Sequence, residues 1–348
     1  MYMHTSGTTS RPKRVRLTHG NLVASLANIQ ATYELSPADR TLLVMPLFHV
    51  HGLIAGLLTS LASGGTVILH GRFAASTFWK HVSTHGATWY TAVPTMQQVL
   101  LMRAETDFPK DNPPPLRFIR SCSASLAASV LERLEKAFHA PVLEAYAMTE
   151  NAHQMTSNPL PKHGPRKPGS VGKATGTVKV AILDDNCQPV PTGKVGEVCI
   201  QGPSVTPGYV NNEEANRVGF MGGWFHTGDQ GFLDEEDYLT LTGRIKELIN
   251  RGGEKISPLE VDAVLLSHPL VGEAVSFAAP DEKYGEEVHA VVTLKPGSSL
   301  SEEAIVQHCR LSLADFKLPK KVYIAQTVPR TATGKIQRRI VAEHFLKG

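Results

Sequence analysis

The chain has 348 residues, 42% of them hydrophobic and 19% charged, an ordinary globular composition with enough length for two or three domains that each bury a core. Its 35 basic and 32 acidic residues leave a formal net charge of +3 and are interspersed, without the single-sign runs of a nucleic-acid-binding arm, so a small anionic ligand is expected rather than a polymer. No window approaches the roughly 18 apolar residues that a membrane-spanning helix requires.

In chain order, the first feature is "HTSGTTSRPKRV" at 4–15. Thr5, Ser6, Thr8, Thr9 and Ser10 supply hydroxyls, Gly7 supplies backbone freedom, and Arg11 and Lys13 supply charge, a set suited to phosphate. It is not a Walker A loop, because no second glycine precedes Lys13 and no Ser or Thr follows it. In isolation it reads more readily as a flexible terminus than as a phosphate loop. Short apolar runs at 66–69, 88–93, 116–121 and 141–147 then alternate with helix candidates near 75–84, 94–104 and 126–138. That alternation predicts an α/β portion with a mostly parallel sheet, spanning 1–176, with ligands at the C-terminal ends of the strands. Proline and glycine crowd 158–173, predicting a long exposed connection.

From 177 to 243, short strands separated by Gly, Pro and Asp turns predict a small β subdomain without a helix. Residues 247–348 read as a compact α+β domain. There, Ser257-Pro258-Leu259-Glu260 combines an N-cap, a proline at the first helical position and a capping-box glutamate, so a helix is expected over 258–268. Strands follow at 274–279 and 288–294, and helices over about 302–314 and 336–346.

Five segments occur in one order: "TSGTTSRPK" at 5–13, "EAYAMTE" at 144–150, "WFHTGD" at 224–229, "GRIKELINRGGEKISPLEVD" at 243–262 and "PRTATGKIQRR" at 329–339. Together they resemble the adenylate-forming superfamily of acyl-CoA ligases, luciferases and peptide-synthetase adenylation domains. The resemblance implies a carboxylate that attacks the α-phosphate of ATP to give an acyl-adenylate and pyrophosphate, followed by transfer of the acyl group to coenzyme A. It places Thr5, Ser6, Gly7, Thr8, Thr9 and Lys13 over the β- and γ-phosphates, Thr149 at the α-phosphate and Glu150 on Mg²⁺, which prefers hard oxygen ligands. Ser123, Glu144, Ala145 and Tyr146 would line the nucleotide site, Tyr146 lying against adenine, with Asp229 and Arg244 on the ribose. Lys335 would reach between the substrate carboxylate and the α-phosphate, offsetting charge in the transition state. Residues 244–246 would be a hinge centred on Lys246, and Gly252 and Gly253 would let the pantetheine arm pass close to backbone.

"PLFHVHG", "RSCSASL" and "TENAHQM" occupy positions that, by the same resemblance, line the acyl pocket. Their His49, Ser123 and His153, with His51, make polar walls suited to an acid carrying a second carboxylate, because leaving that group unpaired is costly. The run "RSCSASLA" with "APVLEAYAMTE" looks like the plant and fungal oxalate–CoA ligases of the 4-coumarate–CoA-ligase-like group. A ligase for a hydroxycinnamate or another small acid stays open, as does a shortened, catalytically silent product that keeps nucleotide or partner binding. Relatives usually carry about one further domain before the phosphate loop, and Arg14 stands where they usually have glycine. Cys122, Cys187, Cys199 and Cys309 form no CxxC pair and are too widely spaced for a zinc knuckle or disulfide framework. With no signal-peptide layout and a C-terminal "HFLKG" rather than a peroxisomal Ser-Lys-Leu-type ending, the cytosol is the expected location and a monomer or weak homo-oligomer the expected state.

Overall fold

The computed structural model describes residues 1–5, 12–331 and 335–347. They form two compact units, one of residues 1–126 with 133–241, the other of 242–348 with 127–132.

The first unit begins with an antiparallel hairpin, β1 (Tyr2–Thr5) against β2 (Lys13–Arg16), which pairs Thr5 with Lys13. A helix over His19–Tyr33, absent from the expectations above, follows it. Thr18 caps the helix through Asn21 in a reciprocal capping box. Its buried face mixes Asn21, Ser25 and Asn28 with Ile29 and Tyr33, which breaks the apolar periodicity that would have announced it. Asn21 donates to the carbonyls of Pro203 and Val205 at 2.8 Å each, and Ser25 to the carbonyl of Ala152 at 2.6 Å.

The seven-stranded sheet runs β4 (Thr66–Leu69), β3 (Arg40–Leu43), β5 (Trp89–Ala92), β6 (Phe118–Cys122), β7 (Val142–Met148), β8 (His153–Ser157), β9 (Lys173–Ala174). The first five strands in this spatial order are parallel and the last two antiparallel. Every residue of β5 and β6 is buried, as expected for strands covered on both faces. The helices Ala75–His85, Pro94–Met102 and Ala128–Phe138 fall where the alternation placed them. The 158–173 connection is only partly exposed. Asn158 is buried and pins it, donating to the carbonyl of Ser170 at 2.6 Å and accepting from the N–H of Lys167 at 3.0 Å.

The β region is an antiparallel sheet of β10 (Lys179–Leu183), β11 (Gly196–Gln201), β12 (Phe220–Met221), β13 (Trp224–Leu233) and β14 (Leu239–Arg244). Contrary to expectation it includes a helix, Glu213–Gly219, started by Asn212, whose side chain accepts from the N–H of Ala215. This helix buries no residue, so only its cap and first-turn acids could have marked it.

The second unit holds β15 (Ile249–Arg251), β16 (Glu254–Ile256), β17 (Val271–Asp281), β18 (Gly285–Leu294) and β19 (Lys321–Ala325) in one sheet, with β19 parallel to β18. Ser257 caps the helix Pro258–Ser267, but the capping box is incomplete, because the Glu260 carboxylate pairs with Lys317 at 2.7 Å. The helix begun by Ser301 stops at Arg310, short of the expected 314. The last helix is Arg338–Leu346. Ile249, Val261, Leu265, Val288, Ala290, Val292 and Ile305 form this unit's core. No helix among the described residues is long and apolar enough to cross a membrane.

Candidate active site

In the first unit, the chemistry-bearing side chains gather past the C-terminal ends of β5, β6 and β7, where an open parallel sheet offers its ligand crevice. Tyr146 leaves β7 with its ring buried and its hydroxyl donated to the carboxylate of Asp229 on β13. Asp229 is fixed in turn, its N–H donating to the hydroxyl of Thr227 at 3.1 Å. An ionised carboxylate only accepts, which makes it complementary to the hydroxyls of a sugar.

β7 ends in a tight turn, Thr149–Asn151, that delivers Glu150. The Glu150 carboxylate accepts from the Tyr209 hydroxyl at 2.8 Å, and its carbonyl from the N–H of Thr206 at 2.7 Å. The Lys13 ammonium lies 4.6 Å above the ring of the same Tyr209. Tyr209 was not anticipated from the sequence; its only mark was an aromatic in the "TPGYV" turn at 206–210. Thr5 ends β1 opposite Lys13, while Ser6, Gly7, Thr8 and Thr9 lie outside the described residues.

A second cluster is built on β6. Ser123, with φ +78°, follows the strand's last residue and turns its hydroxyl to within 3.0 Å of His51 Nδ1. His51 opens a π-helical segment, His51–Leu58, and its Nε2 is 2.6 Å from the Thr91 hydroxyl. The His153 ring is 5.3 Å from that of His51, centroid to centroid, on a backbone held at φ +110°. His49 enters through its own Nδ1, which accepts from the N–H of His51 at 3.1 Å. Ser123, His51 and His153 are thus brought together. Behind them lies Arg120, fully buried and unremarked in the sequence.

Glu144, expected to line the nucleotide site, lies within β7. Its side chain turns into the core, one carboxyl oxygen accepting from the N–H of Leu126 at 2.8 Å and the other without a hydrogen-bond partner among the described residues. Burial pushes its carboxyl up to about 8, against the opposing Leu126 bond. Ala145 is buried in β7 opposite Cys122.

In the second unit, Arg244 ends β14 and Lys246 sits in the short turn Ile245–Glu247 that follows. Gly252 and Gly253, at φ +59° and +99°, form the two-residue turn between β15 and β16, a geometry that favours glycine at both places. Lys335 pairs with Thr331, its N–H donating to the Thr331 hydroxyl at 3.2 Å and its carbonyl accepting from the Thr331 N–H at 2.9 Å. On either side of that pair in sequence, Arg330 binds Glu273 and Arg338 binds Asp262, the latter at 2.6 Å.

Glu150 fits Mg²⁺, which is commonly held by one or two carboxylates together with the phosphate oxygens of its substrate. A mixed set of metal-ligating side chains hidden by sequence spacing also comes together: the Cys199 thiol lies 3.4 Å and the Glu197 carboxylate 2.8 Å from His226 Nδ1. The Glu197 oxygens serve His226 and the N–H of Gly228, and burial first, then Glu197, pushes the Cys199 thiol up. As folded, the set is a hydrogen-bonded support for the His226 ring.

Residues 1–210 match the AMP-binding enzyme family, and residues 260–335 match the AMP-binding enzyme C-terminal domain. The chain is 60% identical to a probable CoA ligase, CCL9, of Humulus lupulus, covering 99% of this chain and 66% of that protein. It is 59% identical to an oxalate–CoA ligase of Arabidopsis thaliana, covering 100% of this chain and 68% of the relative. The chain therefore spans about two thirds of the length of these relatives. Among solved structures, ATP-bound MatB from Rhodopseudomonas palustris superimposes with a TM-score of 0.92 at 31% identity, over 99% of this chain and 67% of that one.

Proposed function

Because the chain belongs to the AMP-binding enzyme family, we propose that it serves an ATP-dependent carboxylate–CoA ligase whose preferred acid is oxalate. A carboxylate is a poor acyl donor, since its oxygen is a poor leaving group. One of its oxygens attacks the α-phosphorus of ATP and displaces pyrophosphate, and the thiol of coenzyme A then takes the acyl carbon and releases AMP. The observation that carries the reading is the convergence of Tyr146 and Asp229, joined by a hydrogen bond, beside the β7 turn that presents Glu150.

In this proposal Asp229 receives the ribose hydroxyls with Arg244, Tyr146 lies along the adenine, and Thr149 meets the α-phosphate. Lys13, with Thr5, Ser6, Gly7, Thr8 and Thr9, faces the outer phosphates. Glu150 would hold Mg²⁺, which when bound neutralises phosphate charge. Lys335 would stand beside the forming anhydride. Lys246 is proposed as the pivot that exchanges Lys335 for the Gly252-Gly253 turn between the half-reactions. The choice of oxalate rests on the polar cluster of Ser123, His51 and His153, joined by His49, and on the similarity to an oxalate–CoA ligase. We also propose a cytosolic location, in keeping with four free cysteines.

ATP–pyrophosphate exchange and CoA-dependent AMP release, measured on the purified chain with oxalate, malonate, acetate and 4-coumarate, test this. Oxalate should give the highest kcat/KM. Robust turnover of 4-coumarate with none of oxalate would overturn the acid assigned, and a folded protein silent with all four would overturn ligase activity for this chain.

A further inference from the structure

We propose that Arg120 sets the direction of a hydrogen-bond relay through Thr91 and His51 to Ser123, which obliges the Ser123 hydroxyl to offer its proton to an anionic acceptor. The relay deepens the acyl-pocket reading given above, but its direction is argued from donors and acceptors alone.

Register places the first link. Thr91 on β5 and Arg120 on β6 are direct partners in the parallel pairing, so both side chains leave the same face of the sheet. Arg120 is fully buried. Its guanidinium donates to the Tyr33 hydroxyl at 2.8 Å, to Gln154 Oε1 at 3.0 Å and to Thr91 Oγ1 at 3.0 Å. A guanidinium has no acceptor, so the Thr91 oxygen must accept, which leaves the Thr91 proton for the next atom along.

That atom is His51 Nε2, 2.6 Å from Thr91 Oγ1 and 3.4 Å from the nearer guanidinium nitrogen of Arg120. A proton on Nε2 would face the N–H of Arg120, donor against donor. Nε2 is therefore the acceptor and the imidazole proton sits on Nδ1. Nδ1–H then donates to Ser123 Oγ at 3.0 Å. With its oxygen accepting, Ser123 has a hydroxyl proton to give. A carboxylate, which only accepts when ionised, is the complementary ligand.

Charge points the same way. Tyr33, Thr91, Gln154, His51 and the Cys122 thiol face the Arg120 guanidinium among the described residues, and none is a carboxylate. Buried guanidinium charge is ordinarily paired. A ligand carboxylate at Ser123 would complete the pairing through the relay. Arg120 and Thr91 are positioning residues, acting through His51 and Ser123.

Nitrogen-15 NMR of the histidine-labelled chain reads the tautomer without a ligand. His51 should carry its proton on Nδ1, and a proton on Nε2 or on both nitrogens at pH 7 would overturn the relay. Thr91→Val keeps the side chain's shape and removes the link; it should shift the His51 tautomer and raise KM for oxalate at least tenfold while KM for ATP changes little. Thr91→Ser, which keeps the hydroxyl, should restore both. An unchanged His51 signature in Thr91→Val sinks the relay whatever acid is used. A shifted signature in a chain that never turns over oxalate leaves the relay standing and defeats the choice of acid.

Discussion

Tyr209 donates its hydroxyl to the Glu150 carboxylate at 2.8 Å while its ring lies 4.6 Å beneath the Lys13 ammonium. One aromatic side chain thus fixes the acid proposed for the metal and the cation proposed for the phosphates. Tyr209→Phe keeps the ring under Lys13 and strips the donor from a buried carboxylate. The expected loss is about 1–3 kcal/mol of stability in denaturant titration, with a rise in the Mg²⁺ concentration that gives half-maximal pyrophosphate exchange. An unchanged Mg²⁺ dependence would argue against Glu150 as the metal ligand.

Glu144 makes stability depend on pH. Its carboxyl is raised from an ordinary 4.5 to about 8 in the folded chain, so between those values the folded state holds a proton that the unfolded state has lost. Its contribution is therefore most favourable below about 4.5 and declines as pH rises toward 8. Glu144→Gln, which retains an acceptor for the N–H of Leu126, should flatten that decline and make the variant relatively more stable at pH 8 than at pH 5. Urea titrations at the two pH values check it, and parallel curves for the two proteins would refute it.

Lys335→Ala should remove adenylate formation while sparing thioester formation from supplied acyl-adenylate. Its stability should change by less than about 0.5 kcal/mol. Arg338→Ala acts otherwise: it leaves the mostly buried Asp262 carboxylate without its ion-pair partner and should cost about 3–5 kcal/mol. Thermal unfolding of both variants beside the two half-reaction assays separates chemistry from anchoring. Equal loss of both half-reactions in Lys335→Ala would sink the role assigned to that lysine.

At Gly253 a Cβ would meet nothing within 4 Å, so the cost of a side chain there is conformational alone. With φ at +99°, Gly253→Ala should destabilise the chain by about 1–2 kcal/mol. If the turn also passes the pantetheine arm, KM for coenzyme A should rise while pyrophosphate exchange is unaffected. A stability loss with an unaltered KM for coenzyme A would make the turn purely structural.

The parallel strands were legible because Trp89–Ala92 and Phe118–Cys122 are short, mostly apolar runs, buried on both faces, that alternate with helical segments. The helix His19–Tyr33 was not, because Asn21, Ser25 and Asn28 interrupt the apolar residues of its inner face. Asp229, Glu150 and Lys335 stood out through motif resemblance rather than through any property of an aspartate, a glutamate or a lysine. Arg120 and Thr91 carried no such mark. Their meaning depends on strand register, which sets residues 29 apart in sequence side by side.

The bonds from Asn21 to the carbonyls of Pro203 and Val205 have a consequence for how the protein is made. The two ends of these bonds are 182 and 184 residues apart, so the N-terminal helix cannot take its final seat until the ribosome has delivered the second β region. At typical translation speeds that is a wait of roughly 10–40 s. During it Asn21 holds its capping bonds to Thr18 but lacks the two carbonyls that seat it in the folded chain.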